Sequence, residues 1–460
     1  MSSVPRPTAP GATASRPVKA QPATPARWRI HYSLLVLLFV YAMSFTDRQI
    51  MGILIQPIKT EFGVSDTAMG LLAGLAFALF YSVLGVPMGR YADRANRRNF
   101  VAWCCAAWSA MTALCGLASG YWMLALARVG VAVGEAGGSA PSMSMIADYY
   151  PQERRARAMS VYALGPQLGI LFGLALGGWI AQHYGWRNAF LSMSVPGVVA
   201  ALLLRWTAIE PTRGAWDAGK TAAGAVQEPI GAVLRDLWAS KAFTRISLSA
   251  LLLGFAGYGI GIWTPAFLVR SHGMSLQAAG AVMGLLGGLA AVIGTLASGW
   301  MSDALCKRDA RWRLGVPLIG CVLSLPLGLV FYMMPAGASW MVGSLVVPHA
   351  IGLFVLFSMT TVWWVGPVYA ALSGVVAAHR RTTAYAVFNL ALMMVGAGLG
   401  PLVVGALSDL LTPAYGHEAL RWALAIGMSA YVLSMLALAA AIRPYGVAIA
   451  AQAVADHTPR

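Results

Sequence analysis

Four ionisable residues interrupt otherwise apolar stretches of this sequence. Asp47 and Arg48 lie side by side in one stretch, and Arg128 and Glu135 share another. A charged side chain left without a partner in hydrocarbon costs roughly 3 kcal/mol or more. We therefore expect the four residues to pair with one another and to line a cavity. There, two carboxylates and two guanidinium groups can exchange partners, take up protons or bind an anion.

Helical spacing predicts how these charges meet. Arg128 and Glu135 are seven residues apart, so on a helix they share one face, about 10 Å apart along the axis. Counted from the helix ends, Asp47 lies between them in depth. We predict that Asp47 pairs with Arg128 and Arg48 with Glu135, or that the pairing is exchanged. The alternative is a permanent network that only fixes helix packing, although buried ion pairs are costly stabilisers.

The apolar stretches themselves indicate a membrane protein. Apolar residues make up 58% of the 460 residues and charged residues 10%, and the mean hydropathy is +0.68. Windows of about 20 residues, long enough to cross a bilayer, predict an all-α protein with twelve transmembrane helices. They cover residues 31–55, 67–90, 99–118, 121–147, 158–183, 187–207, 244–270, 277–300, 314–334, 340–373, 383–408 and 419–443. The tenth is too long for one straight crossing, so we expect it to carry an interfacial turn.

The basic residues agree with this topology. The net charge of +16 could by itself indicate a nucleic-acid partner. With the N-terminus in the cytoplasm, however, 26 of the 32 Lys and Arg residues lie on the cytoplasmic side and four on the outer side. This asymmetry follows the positive-inside rule. It predicts cytoplasmic N- and C-termini, a multi-pass protein of a cell membrane of the bacterial inner-membrane type, and no nucleic-acid partner.

The chain divides into two similar halves. Residues 89–98 and 299–308 share a glycine, an aspartate four residues later and a twin basic pair at the end. We predict a disordered tail over 1–26, a six-helix bundle over 27–207, a cytoplasmic linker over 208–243, a second bundle over 244–443 and a tail over 444–460. Parallel repeats of this kind are typical of transporters whose halves rock about a central site.

Residues 89–98 also resemble the signature loop of the major facilitator superfamily, and the resemblance extends over essentially the whole chain. It implies a major facilitator fold with a cytoplasmic gate at this loop. The residues expected at the gate are Gly89, Asp93, Arg94, Arg97, Arg98, Asp148 and Asp303. Gly89 is expected to permit close helix approach. The alternative, in which the arginines only enforce topology, does not explain why the aspartate recurs in both halves.

A second resemblance narrows the family. The stretch from Tyr41 to Asp47 and Arg48, together with Arg128 and the Gly-Glu-Ala-Gly-Gly run at Glu135, is similar to the spinster family of lysolipid and sphingolipid transporters. In that family an acidic residue beside Arg on the first helix and a Glu on the fourth are implicated in proton coupling and in the chemistry of the cavity. The resemblance therefore implies the same roles for these residues here.

The second half contributes an apolar wall to the expected cavity. Charged residues occur only within three residues of the ends of its six predicted segments, and its polar residues are few. A sugar site would need several converging hydroxyl and amide groups, so this composition favours an amphiphile with an ionic head. Tyr41, Tyr258, Trp263 and Tyr369 are candidate cavity aromatics, with packing or lipid contact as the alternative for each.

Other classes of function lack their signatures. The histidines are scattered and the five cysteines have no metal-ligand spacing, so we expect no metal, no cofactor and no enzyme centre. No pore loop indicates a channel. We expect a monomeric, proton-coupled secondary transporter that moves a lysophospholipid- or sphingolipid-like substrate by rocker-switch alternating access, with the proton gradient as its energy source. A transporter of small organic anions or drugs is the alternative.

Overall fold

The computed structural model describes residues 26–216, 229–337, 339–342, 345–377 and 380–457. All but the last residue of the predicted N-terminal tail, and residues 217–228 of the predicted linker, therefore lie outside the described residues.

The first half consists of ten α-helices. Two short π-helical stretches, Leu71–Leu75 and Phe172–Leu176, join α2 to α3 and α8 to α9. The helices are α1 (Arg27–Phe62), α2 (Asp66–Gly70), α3 (Ala76–Ala92), α4 (Arg97–Gly116), α5 (Tyr121–Ala136), α6 (Ser139–Tyr149), α7 (Gln152–Tyr162), α8 (Gly165–Leu171), α9 (Gly177–Tyr184) and α10 (Trp186–Trp206).

The second half follows the same plan. Helix α11 (Ile230–Ala239) precedes it, and the π-helical stretches Val282–Gly287 and Met393–Leu399 again lie within the bundle. Its helices are α12 (Lys241–His272), α13 (Leu276–Ala281), α14 (Gly288–Cys306), α15 (Trp312–Met333), α16 (Ile351–Thr360), α17 (Val365–Val375), α18 (Arg381–Leu392), α19 (Gly400–Tyr415), α20 (Ala419–Gly427) and α21 (Ser429–His457), with a 3-10 turn at Gly416–Glu418.

The two halves repeat their turn chemistry as well as their helices. Gly63 follows the end of α1 and Gly273 follows the end of α12, both with a positive φ that glycine adopts without strain. Two residues later Ser65 and Ser275 cap the next helix, each accepting a hydrogen bond from a backbone N–H three residues on. The sequence repeat therefore encodes the same sharp turn after the first helix of each half.

The helical prediction is confirmed in its coarse form. Among the described residues, ten continuous helical segments are long and apolar enough to cross a membrane. The predicted fourth segment is instead divided into α5 and α6 at Gly137 and Gly138, and the predicted eleventh and twelfth segments fall within one apolar run, Thr383–Ala451. The count of twelve and the side on which the termini lie stay predictions.

One element differs from the all-α prediction. The strands β1 (Ser339–Val342) and β2 (Leu345–Pro348) form a short antiparallel hairpin before α16. The hairpin occupies the start of the overlong tenth segment. The apolar, β-branched residues there are compatible with a strand as well as with a helix, and hydropathy alone does not distinguish the two.

The halves touch at one end of the molecule. Gly70 and Gly74 pack so closely on the backbone at Gly398 and Pro401 that an added Cβ atom would lie 2.4 to 2.6 Å from a carbonyl oxygen. We call this the Asp66 end. At the opposite Asp93 end, an added Cβ on Gly85 or Gly89 would meet no described atom within 4 Å. The two halves are therefore in close contact at the Asp66 end, whereas α3 has no such contact at Gly85 and Gly89 near the Asp93 end.

Candidate functional site

The ion pair between Arg48 and Glu135 is the centre of the site. Nε of Arg48 lies 2.6 Å from Oε2 of Glu135, and the hydroxyl of Ser44 donates to the same oxygen at 2.7 Å. The Glu135 side chain is fully buried, whereas 18% of the Arg48 side chain stays exposed. One of the two predicted pairs is therefore present, and its arginine reaches open space.

Three aromatic rings surround the guanidinium group of Arg48. Its Cζ lies 4.9 Å from the ring centre of Phe45, 5.0 Å from that of Phe77 and 4.6 Å from that of Tyr81. Each cation–π contact contributes about 0.5 to 2 kcal/mol, the larger value in a desolvated site. The rings can therefore hold the charge of Arg48 in place when its carboxylate partner changes.

The predicted ion pair between Asp47 and Arg128 is wrong for this conformation. Nη1 of Arg128 donates to the backbone carbonyl of Asp47 at 3.0 Å, and no ion pair joins their side chains among the described residues. The Asp47 carboxyl group lies beside Thr112 of α4. Its Oδ1 is buried without a hydrogen-bond partner in the described structure, as are the hydroxyls of Ser109 and Thr112.

Helix geometry explains the difference. Consecutive residues on a helix point about 100° apart, so Asp47 and Arg48 cannot face the same neighbour. Arg48 turns towards the space between the halves, and Asp47 turns towards α4. Sequence spacing ranked the residues by depth but did not fix the rotation of α1 about its axis.

Two adjoining cavities lie between the halves and share Gln49, Tyr258 and Ile262. The smaller, of about 70 Å³, is lined by both arginines, Arg48 and Arg128. The larger, of about 220 Å³, is mainly apolar. Its apolar and aromatic lining includes Ile170, Leu174, Met283, Phe354, Phe357 and Tyr332. The site thus has a cationic chamber that opens into an apolar one.

The two carboxylates do not line these chambers. Glu135 lines a separate space of about 10 Å³, together with Ser44, Tyr41 and Tyr162. Asp47 is 1% exposed and its side chain lies on the face of α1 that packs against α4. Sequence analysis grouped the four charges in one cavity, whereas the structure places the arginines towards the cavity and the acids behind them.

The four candidate aromatics take different positions. Tyr258 lines both chambers, and Tyr41 stacks on Tyr162 at 4.4 Å between ring centres. The cavity position considered for Trp263 is wrong, because it is fully buried and its Nε1 donates to the Pro401 carbonyl at 2.9 Å. Tyr369 donates to Oδ1 of Asn389 at 2.5 Å and does not line either chamber.

Two glutamines were missed by the sequence analysis. Gln49 lines both chambers and Gln167 of α8 lines the larger one. Each is an isolated amide in an apolar segment, a signal that was available but is weaker than a charge. They add hydrogen-bonding groups at the boundary between the cationic and the apolar chamber.

The signature loop forms a compact network at the Asp93 end. Buried Arg97 contacts Oδ2 of Asp148 at 2.5 Å and Oε1 of Glu210 at 3.0 Å. The other carboxylate oxygen of Glu210 accepts from the backbone N–H of Arg98 at 2.7 Å. Arg213 donates to the backbone carbonyl of Asp93. Sequence analysis predicted Asp148 but missed Glu210 and Arg213, which belong to the segment after α10.

The side chains of other residues assigned to the gate take no part in this network. Asp93 and Arg94 are exposed, and Asp303 is also exposed, 3.8 Å from Arg313. The close helix approach expected at Gly89 is wrong for this conformation, because no described atom lies within 4 Å of an added Cβ there. The second copy of the motif therefore does not reproduce the buried arginine network of the first.

A second polar cluster joins the halves at the Asp66 end. The Asp66 carboxylate accepts two hydrogen bonds from Arg270, both at 2.8 Å, one from Lys59 at 2.6 Å and one from Ser408 at 2.7 Å. Asp409 accepts in turn from the backbone N–H of Asp66 at 2.9 Å. Lys59 and Asp66 belong to the first half, and the other three to the second, so this cluster fastens the halves together.

Sequence similarity to known proteins identifies the family of this chain. The sequence pattern of the Major Facilitator Superfamily matches residues 37–401. The chain belongs to the major facilitator superfamily. A relative in Mycolicibacterium smegmatis, an MFS-type efflux pump, is 33% identical over 399 residues, which cover 86% of this chain and 89% of that protein. The match confirms that this superfamily member is a transporter in a membrane and not an enzyme.

Two further comparisons confirm the resemblance of this transporter to the spinster family. The sphingosine-1-phosphate transporter SPNS2 of Danio rerio is 26% identical over 418 residues, 85% of this chain and 79% of that protein. The crystal structure of a bacterial homolog of the human lysosomal transporter Spinster, described as inward-facing and unoccupied, has a TM-score of 0.76 at 28% identity. It covers 92% of this chain and 98% of that one.

Proposed function

We propose that this transporter moves an anionic amphiphile, a lysophospholipid- or sphingolipid-like molecule, in a proton-coupled manner. The observation that carries the proposal is the arrangement of Arg48. Its guanidinium group faces the cavity while its Nε is held at 2.6 Å by Glu135 behind it. One group therefore connects the cavity to a buried acid.

The two chambers match the two parts of such a substrate. Arg48 and Arg128 can bind a phosphate or carboxylate head through charge-assisted hydrogen bonds. The adjoining apolar chamber, lined by residues such as Leu174 and Phe357, can bury part of a hydrocarbon chain, which stabilises by about 0.8 kcal/mol per CH₂ group. The zebrafish relative is a sphingosine-1-phosphate transporter, and the phosphorylated, amphiphilic nature of that substrate supports this assignment.

Proton coupling follows from competition for Arg48. While Glu135 is ionised, it shares its charge with Arg48 and weakens the attraction of that arginine for a substrate anion. When Glu135 takes up a proton, Arg48 keeps its aromatic contacts and is free to bind the head group. Proton uptake at Glu135 and anion binding at Arg48 therefore favour each other.

Alternating access uses the two ends of the molecule. The cluster around Asp66 fastens the halves at what we predict to be the outer side, and the Asp93 end is open in the same conformation. Substrate would enter or leave from the cytoplasm in this state. Release of the Asp66 cluster would then permit the opposite state.

A small organic anion is the second candidate. The chamber that holds both arginines is only about 70 Å³, enough for a compact carboxylate without a hydrocarbon chain. The efflux-pump relative leaves this choice open, since its name specifies no substrate class.

Ligand-induced stabilisation distinguishes the two candidates. The midpoint of thermal unfolding of the detergent-purified protein is measured with lysophospholipids, sphingoid phosphates, hydrophilic organic acids and sugars. We expect the anionic amphiphiles to raise the midpoint, and Arg48→Gln to weaken their binding by roughly 2 kcal/mol or more. Exposed Arg235, changed to Gln, is the control and should bind normally. Stabilisation by hydrophilic acids alone would support the second candidate.

A further inference from the structure

A basic cavity lies at the Asp93 end, away from the transport chambers. It has a volume of about 420 Å³ and lies between the start of α1 and helix α7. Its polar lining consists of His31, Tyr150, Arg154 and Arg157. Its apolar lining consists of Leu34, Ala158 and Val161. The mechanism proposed above uses none of these residues.

The polar groups of this cavity can all donate hydrogen bonds. Nδ1 of His31 lies 2.8 Å from the hydroxyl of Tyr150, and burial raises the pKa of Tyr150, so that its hydroxyl keeps its proton. Arg154 and Arg157 are exposed and form no ion pair with an acid of the described chain. The nearest acid in sequence, Glu153, is exposed and does not line the cavity. The cavity therefore has the donors and the excess positive charge that an anion requires.

Apolar residues continue from the basic rim on both sides of the cavity. Leu35 lies one turn after His31 on α1, and Leu164 lies in the turn that follows α7, seven residues after Arg157. Both side chains are more than half exposed, 55% for Leu35 and 53% for Leu164. His31 is the first residue of the predicted membrane segment 31–55, and lipid head groups lie at the ends of such segments.

We propose that this cavity binds the phosphate head of an anionic membrane phospholipid. Arg154, Arg157 and His31 contact the phosphate, Tyr150 donates to it or to the head group, and the acyl chains lie along Leu35 and Leu164. The bound lipid bridges the first helix of the transporter to α7. This site is distinct from the substrate chambers, because all its lining residues belong to the first half, whereas both halves line each chamber.

The test measures thermal unfolding of the full protein in detergent supplemented with lipid. We expect phosphatidylglycerol to raise the midpoint and phosphatidylcholine to leave it unchanged. Changing Arg154 and Arg157 together to Gln should weaken the response to phosphatidylglycerol roughly tenfold or more in lipid concentration. The control changes Arg235 and Lys241, which are exposed cations of the predicted cytoplasmic face, to Gln and should keep the response.

Two results would overturn the proposal. One is an equal response to phosphatidylglycerol in the Arg154/Arg157 variant and the wild type. The other is full stabilisation by inorganic phosphate without lipid, which would indicate a site for a free anion. A photoactivatable phosphatidylglycerol provides a test on wild-type protein in case the variant misfolds. Cross-links confined to 31–35 and 154–164 support the site, and cross-links spread over the membrane surface contradict it.

Discussion

At the scale of single residues, we propose that the function of this transporter depends on which partner Arg48 has. In the present conformation it is shared between Glu135 and three aromatic rings. A buried carboxylate that neutralises an arginine facing the cavity is costly to separate from it. In the proposed mechanism, the contact between Arg48 and Glu135 therefore limits anion binding until Glu135 takes up a proton.

Neutralising Glu135 should remove the dependence on protons. In Glu135→Gln, the amide can still accept a hydrogen bond from Arg48 but carries no charge, so we expect anionic substrate to bind as well as or better than in the wild type. We also expect transport in liposomes to lose its response to an imposed pH gradient. Glu153→Gln, at an exposed position, is the matched control. An unchanged response in Glu135→Gln would refute the coupling mechanism.

The sequence predicted the pair of Arg48 and Glu135 for two reasons. Arg128 and Glu135 lie about two helical turns apart on one face, so both can meet charges of α1, and charges in apolar segments must find partners. It did not predict the environment of Asp47. A single residue of offset on α1 separates a side chain in the cavity from one packed against α4, and hydropathy does not fix that rotation. The buried, unpaired Oδ1 of Asp47 marks it as a second candidate for protonation.

At the scale of helices, the closed state depends on contacts between residues far apart in sequence. Asp66 begins α2, whereas Arg270 lies in the last turn of α12, and Ser408 and Asp409 lie in α19. Polar and charged residues of these types are common near the ends of membrane helices, so no local sequence pattern predicts that these four residues lie in contact. Glu210 was missed for a related reason, because it follows the last helix of its half and was read as linker.

Breaking the Asp66 cluster should shift the transporter towards the opposite state. Asp66 is 1% exposed, and removing one member of a buried pair costs about 3 to 5 kcal/mol. We expect Asp66→Asn to increase the labelling of single cysteines introduced in the cavity by reagents added from the Asp66 end. Glu61→Gln is the control, since its ion pair with Arg187 is exposed and lies within one half. Equal labelling in both variants would show that the cluster does not hold the halves together.

Helix packing gives an independent test of the same closure. A Cβ atom on Gly70 would lie 2.4 Å from the carbonyl oxygen of Pro401, whereas one on Gly85 would meet no described atom within 4 Å. We expect Gly70→Ala to separate α2 from α19 and to increase the distance between spin labels placed on the two halves at this end. Gly85→Ala should leave that distance unchanged. A Gly70→Ala variant with wild-type distances would contradict the packing described here.

At the scale of the whole molecule, the two halves are similar in fold and different in chemistry. Both have the same turn after their first helix, at Gly63 and Gly273. The central acids and arginines nevertheless all belong to the first half, and the second half contributes mainly an apolar wall to the larger chamber. Composition and the internal repeat predicted this division. The shape of the chambers depended on helix rotations that only the structure supplied.

Measuring how an imposed pH gradient affects the transport of an anionic amphiphile tests the central claim most directly. Purified protein is reconstituted in liposomes, and the movement of a labelled lysophospholipid or sphingoid phosphate is followed with and without an imposed gradient. We predict movement that depends on the gradient, stops when a protonophore is added and is lost in Arg48→Gln. Movement at the same rate without a gradient, or transport of hydrophilic acids but not of amphiphiles, would contradict the account.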